Sequence, residues 1–305
     1  MAINRQFLDE KKIISKKING NRSLTDIVLW IIIIAYVLEA LVENAFPKLT
    51  PVPLQPILLL PFAIIHMWKR YKWKALLFFF AVSFIVSNIF ENLSIKTGFP
   101  FGHYYYTSVL GPKLFLVPSL VILAYIAFGY ICWVLSTRLV GDIRKEASTL
   151  TTLGVPLVVS FIFVGYDFCF DPTVSTVSHW WIWQQGGGYF GVPLSNFLGW
   201  SLTTFVFFLL FSLYLRQFEK TDNDHLTFTK SHYYMPVIMF VGTAATFTVK
   251  YLFRPSTQVT DAVGQTWITG NIYETAVIAS IYTMFFIAIL AAIKIAQSNY
   301  KKTPN

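Results

Sequence analysis

Charge is what this chain has least of. Asp, Glu, Lys and Arg make up 13% of its 305 residues, against 55% hydrophobic residues. Soluble domains are about a quarter charged, so an ordinary soluble fold is excluded. Cysteine is scarce too. Cys132 and Cys169 lie in apolar segments without CxxC spacing, which excludes a disulfide framework and a cysteine zinc site. His66, His103, His179, His225 and His232 are scattered, and Asp171 with His179 is too loose a pair to argue a metal. No P-loop, dinucleotide fingerprint, H-E-x-x-H helix or serine elbow occurs. No metal, flavin, nicotinamide or haem is therefore expected.

What the chain does have is long apolar runs. Eight segments, near 25–46, 51–68, 75–95, 114–137, 151–170, 193–215, 234–253 and 273–293, are long enough to cross about 30 Å of hydrocarbon. The second is crowded by Pro51, Pro53, Pro56 and Pro61, which predicts a kink or partly re-entrant backbone. With the N-terminus in the cytoplasm, nineteen of the 24 basic residues fall on the cytoplasmic side. The other five are Lys48, Lys96, Lys113, Lys250 and Arg254. That bias predicts an all-α, multi-pass bundle of about eight transmembrane helices in the cell membrane, with both termini in the cytoplasm. It also explains the net charge of +9 without nucleic acid. Residues 1–24 read as a basic cytoplasmic segment leading into an uncleaved helix. Residues 25–295 read as one membrane domain, and 296–305 as a cytoplasmic tail.

The few acids are unevenly placed. Glu39, Glu43, Glu91, Asp167, Asp171 and Glu274 all fall at the outer ends of the first, third, fifth and eighth segments. Glu39/Glu43 and Asp167/Asp171 are four residues apart, and Asn88, Glu91 and Asn92 share a helix face. After Asp171 no charged residue appears until Arg216, a gap of 44 residues. A carboxylate inside a membrane is expensive, so this pattern predicts one polar pocket in the outer half of the bundle. The plainer reading puts the acids among headgroups or beside a lysine. Aromatic residues are abundant (29 Phe, 16 Tyr, 9 Trp), which suits an apolar or π-rich ligand and equally an interfacial belt. A loose duplication is also visible. An acid-ended helix, a Gly/aromatic loop and a Pro-led helix occur at 75–137 and again at 151–215.

Two blocks are distinctive: FENLSIKTGFPFGHYYYTSVLGPKLFLVP, Phe90 to Pro118, and the stretch from Gly165 to Trp200 with GYDFCFDP, WWIW and GGYFGVPLSNFLGW. They resemble the carotenoid biosynthesis membrane-protein family that includes acyclic carotenoid hydratases and bisanhydrobacterioruberin hydratase. The resemblance runs from roughly Glu39 to the eighth segment. The family commonly has Arg after FPFG and Glu between the next two tyrosines. Here those positions are His103 and Tyr105, a departure that bears on end-group or chain-length preference more than on chemistry.

The resemblance implies addition of water across a terminal carbon–carbon double bond of a linear carotenoid, without a cofactor. Protonating a trisubstituted alkene leaves a tertiary carbocation, which water captures as a tertiary alcohol. The reaction needs a neutral acid, cation-stabilising faces and a base. An apolar site keeps a carboxyl protonated and able to donate, and an adjacent pair shares its protons. Asp167, Asp171 and Glu91 are thus the expected catalytic residues. Asn88, Asn92, Tyr104, Tyr106, Trp180, Trp183, Tyr189, Phe190, Asn196, Glu39, Glu43 and Glu274 are the expected substrate-binding set. Partners would be the carotenoid, water, membrane lipid and other enzymes of the pathway. Another carotenoid end-group activity and a proton-coupled carrier of an apolar or isoprenoid compound are the competing readings.

Overall fold

A computed structural model describes residues 24–46, 55–219 and 228–298. The basic 1–24 segment and the 296–305 tail lie outside these residues, apart from Leu24 and residues 296–298. His225 lies outside them as well. Among the described residues, seven helices are long and apolar enough to cross a membrane. The fold is an all-α bundle consistent with a polytopic membrane protein.

The helices are α1 (Leu24–Ala45), α2 (Gln55–Thr97), α3 (Ser119–Leu139) and α4 (Thr149–Asp171), then α5 (Leu194–Phe218) and α6 (Lys230–Phe253). The seventh span joins α7 (Thr269–Ala279) to α8 (Phe286–Gln297) through a π-helical turn, Ser280–Phe285. Three two-stranded ribbons cross the loops: β1 (Tyr104–Tyr106) with β4 (Trp181–Trp183), β2 (Lys113–Leu114) with β3 (Val117–Pro118), and β5 (Gln258–Thr260) with β6 (Thr266–Ile268).

Seven helices rather than eight segments are found because the second and third segments form one element. The 43 residues of α2 contain a single non-helical residue, Lys72, at φ 65° and ψ 178°. The break lies there and not at Pro56 or Pro61; Pro51 and Pro53 lie outside the described residues. Pro56 occupies the first helical turn, where no amide is needed, and Pro61 stays within the helix. A straight helix of this length would measure about 65 Å, twice the hydrocarbon thickness. The chain instead turns back on itself. Gln55 bonds Glu43 at 2.6 Å while Lys69 pairs with Asp26, so the first part runs antiparallel to α1. Beyond Lys72, Phe79 packs on Tyr130 and Glu91 meets Tyr125, which carries the second part back to the level of Gln55.

Helix α3 is the hub, with 78% of its apolar window buried against 22% for α1. Gly129 leaves room there for the ring of Phe208, 3.3 Å from where a Cβ would stand. On the outside, Ile31, Ile34, Leu38, Leu157, Phe161 and Tyr282 are exposed, an apolar jacket that a solvent-facing protein would not carry.

One end of the bundle is held by ions. Asp142, in the α3–α4 loop, accepts from Arg70 at 2.6 Å and from Arg138, with Arg144 at 3.6 Å. Burial alone would raise the Asp142 carboxyl; Arg138 and Arg70 outweigh it and hold its pKa down at about 2. Close by, Pro236 supplies no amide to the carbonyl of His232, and His66 Nε2 serves that carbonyl at 2.9 Å. Tyr130 bonds the other nitrogen of His66 at 2.7 Å, so both ring positions are used.

Candidate functional site

The opposite end of the bundle collects the acids. Asp167 and Asp171 sit one turn apart at the end of α4, 4% and 1% exposed. The helix does not stop at Pro172, where the sequence places a loop, but continues as a π-helical turn through Val177. Such turns are frequent at functional sites. Pro172 has no amide for the carbonyl of Phe168, and the Tyr189 hydroxyl takes that carbonyl at 3.1 Å.

The two distinctive loops then meet. β1 pairs antiparallel with β4, Tyr104 opposite Trp183 and Tyr106 opposite Trp181. Alternation along a strand puts Tyr104 and Tyr106 on one face with Trp181 and Trp183, and turns Tyr105 outward, where it is 47% exposed. Each strand serves one acid. The indoles of Trp181 and Trp183 donate to Oδ1 of Asp171 at 3.0 and 3.3 Å. The phenols of Tyr104 and Tyr106 donate to Oε2 of Glu91, the second at 3.0 Å. Burial, then the charge of Glu91, pushes both loop phenols well above their ordinary pKa, so they remain donors.

Two further residues complete the arrangement. Asn196, in the first turn of α5, uses both hydrogens of one amide: Nδ2 lies 2.8 Å from Oδ2 of Asp167 and 2.7 Å from Oδ2 of Asp171. Tyr125 of α3 donates to Oε1 of Glu91 at 2.7 Å. Asp171 and Glu91 thus receive three donors each, and Asp167 one.

Beside this cluster lies a cavity of about 430 Å³, within the range of small-molecule sites. Asp167, Tyr125, Tyr166, Trp181 and Trp200 form part of its wall; Asp171 and Glu91 do not. Glu91 borders a separate void of about 10 Å³, room for about one water, together with its phenols and the Asp171 donors Trp181, Trp183 and Asn196. The far end of the cavity is polar. Glu43 is bonded by Gln55, and Lys250 donates to Thr173 at 3.2 Å. Arg254 caps the last carbonyls of α1, at 2.8 Å from Asn44 and 3.1 Å from Glu43.

The residues expected from the sequence therefore separate. Asp167, Glu43 and Trp180 line the cavity. Asp171, Glu91, Asn196, Tyr104, Tyr106 and Trp183 stand behind it as a hydrogen-bonded wall. Asn88 and Asn92 bond each other, and Asn92 accepts the Leu116 amide at 3.1 Å, which ties down the 98–118 loop. Tyr189 serves Phe168, and Phe190 packs on Trp267 at 5.5 Å. Glu39 is half-buried away from the cavity, and Glu274 is exposed while its neighbour Tyr273 lines the wall. Tyr125, Tyr166, Trp181, Trp200 and Lys250 border the cavity but were absent from the expected set. Tyr166, Trp181 and Trp200 lie in the distinctive Gly165–Trp200 stretch, which was their signal, and Lys250 is a cation at the end of the bundle where basic residues are few. Tyr125 is a single aromatic inside an apolar run with no pattern to mark it. Among the described residues no group of three or more His, Cys, Asp or Glu is placed to hold a metal.

A helical bundle with an apolar exterior, an aromatic cavity and buried acids at one end is consistent with a polytopic membrane protein. The chain is a member of the carotenoid biosynthesis protein family, whose model matches residues 52–264. The match spans Glu91, Tyr125, Asp167, Asp171, Asn196 and Lys250, and ends before α7. No curated protein and no solved structure matches the chain.

Proposed function

We propose that the protein is an integral-membrane carotenoid hydratase that adds water to a terminal double bond of a linear carotenoid. It makes eight membrane crossings, the reversal at Lys72 counting as one turn, and both chain termini face the cytoplasm. The observation that carries the reading is Asp167, a carboxyl in the wall of an aromatic cavity, held by one amide hydrogen and backed by a second carboxyl. Three donors commit Asp171 to accepting, which leaves Asp167 as the member of the pair that keeps the proton and delivers it.

The chemistry follows from the wall. Asp167 protonates the less substituted alkene carbon, and the tertiary cation forms among Trp181, Trp200 and Tyr166. Desolvated aromatic faces stabilise a cation by about 0.5–2 kcal/mol each. Water held by the hydroxyls of Tyr36, Thr243 and Thr246, which line the same cavity, captures it. The addition is redox-neutral. A proton-coupled carrier would want polar groups at mid-depth with access from both sides. Here the charged groups that line the cavity, Glu43, Asp167, Lys250 and Arg254, lie toward one end of the bundle.

Membranes containing the protein, supplied with a linear carotenoid in ¹⁸O-labelled water, should yield a more polar product one water heavier that carries the label. Label arriving from O₂ instead would make the enzyme an oxygenase. No product from several linear substrates would remove the hydratase reading.

A further inference from the structure

Addition of water requires a base as well as an acid, and Asp167 supplies only the first half of the reaction. We propose that Tyr125 is a second catalytic residue, which takes the proton of the attacking water and hands its own to Glu91. This inference rests on the hydratase reading and adds a proton route to it.

The geometry is directional. Tyr125 lines the same cavity as Asp167, whereas Glu91 is 1% exposed and shut out of it. The single hydrogen of the Tyr125 hydroxyl points at Oε1 of Glu91, 2.7 Å away. A phenol oxygen has one hydrogen and two lone pairs, so with its hydrogen turned to Glu91 and the Tyr106 hydroxyl beside it, one lone pair remains for a donor in the cavity. The other oxygen of Glu91 is occupied by Tyr104 and Tyr106, which leaves Oε1 as the end that communicates with the cavity. The Tyr125 ring is fixed against Trp200, centroids 4.4 Å apart. Glu91 is a positioning residue here, and its three phenols explain why a carboxyl is buried where no substrate reaches it.

The step balances. The alkene takes a proton from Asp167, and the water oxygen bonds the tertiary carbon. The water's surplus proton moves to the Tyr125 oxygen as the Tyr125 proton moves to Oε1 of Glu91. After product leaves, the proton returns through Tyr125 and cavity water to Asp167. Nothing is oxidised or reduced.

The test separates protonation from water capture. Wild type, Tyr125→Phe and Glu91→Gln are given a linear carotenoid in D₂O, and both alcohol and deuterium in recovered substrate are measured. Tyr125→Phe should make alcohol roughly 10²-fold more slowly or worse, the usual value of a general base. Asp167 should still protonate the alkene reversibly, so deuterium should continue to enter the recovered substrate at the protonated carbon. Glu91→Gln keeps the shape and two of the acceptor positions and should uncouple the steps in the same way; it carries the test if the phenylalanine variant does not fold. Alcohol at the wild-type rate in either folded variant overturns the proposal. So does joint loss of alcohol and exchange in folded protein, which would make Tyr125 a binding residue. If wild type itself neither hydrates nor exchanges, the hydratase reading fails first.

Discussion

Asn196 holds Asp167 and leaves it part of the cavity wall: its Nδ2 stands 2.8 Å from Oδ2 of the carboxyl, while its other hydrogen goes to Asp171. One neutral amide thus links two buried acids that play different parts. A carboxylate four residues away on the same helix face would otherwise repel its neighbour. The shared donor allows the pair to sit together with at most one charge.

The unequal donor count predicts unequal mutants. Asp167→Asn removes the proton that reaches the cavity and should reduce hydration by about 10²–10⁴-fold with the protein still folded. Asp171→Asn turns an acceptor of three hydrogen bonds into a group that cannot accept all of them. It should cost about 1–3 kcal/mol of stability, with a smaller loss of turnover. Activities and thermal midpoints of the two purified variants check this. A deeper loss of activity in Asp171→Asn would reverse the assignment of the acid.

Sidedness can be read with cysteine labelling. Ser108, Ser178 and Ser298 are exposed, and the native Cys132 and Cys169 are each 0% exposed, so background should be low. Single cysteines at 108 and 178 should react with an impermeant thiol reagent in intact cells, and one at 298 only after lysis. Labelling at 298 alone would invert the bundle.

The ionic cluster at the other end predicts an acid limit. The pKa of Asp142 is depressed in the folded protein, to about 2. Its contribution to stability is therefore complete above the ordinary carboxylate value, about 4, and is lost as pH falls toward 2. The shift corresponds to on the order of 2 kcal/mol, reduced by the 24% exposure of the side chain. Asp142→Asn should lower the midpoint in detergent at neutral pH and abolish this stretch of acid sensitivity. A variant with unchanged stability would show that Arg70, Arg138 and Arg144 gain nothing from it.

Much of this was legible in the sequence, because burial in a bilayer leaves few residue types free to vary. Apolar runs marked the helices, and scarce charge made the outer-end acids conspicuous. Strand alternation in YYY and WIW was present in the sequence too, but only the pairing of the two loops gave it meaning. The sequence alone determined that Asp167, Asp171 and Glu91 belong together at one depth, since helix lengths fix depth. It did not determine which of them meets the cavity. That depends on rotation of helices about their axes and on which loop crosses which. The fold gives Glu91 to three tyrosines and Asp171 to two indoles, turns Glu274 outward, and leaves Asp167 and Tyr125 facing each other's cavity. The turn at Lys72 was legible, since the basic run KRYKWK at 69–74 separates two apolar segments there, but its form was not. One residue with positive φ reverses the chain within a 43-residue helical element, and contacts distant in sequence, Gln55 with Glu43 and Glu91 with Tyr125, decide which helices its two parts pack against.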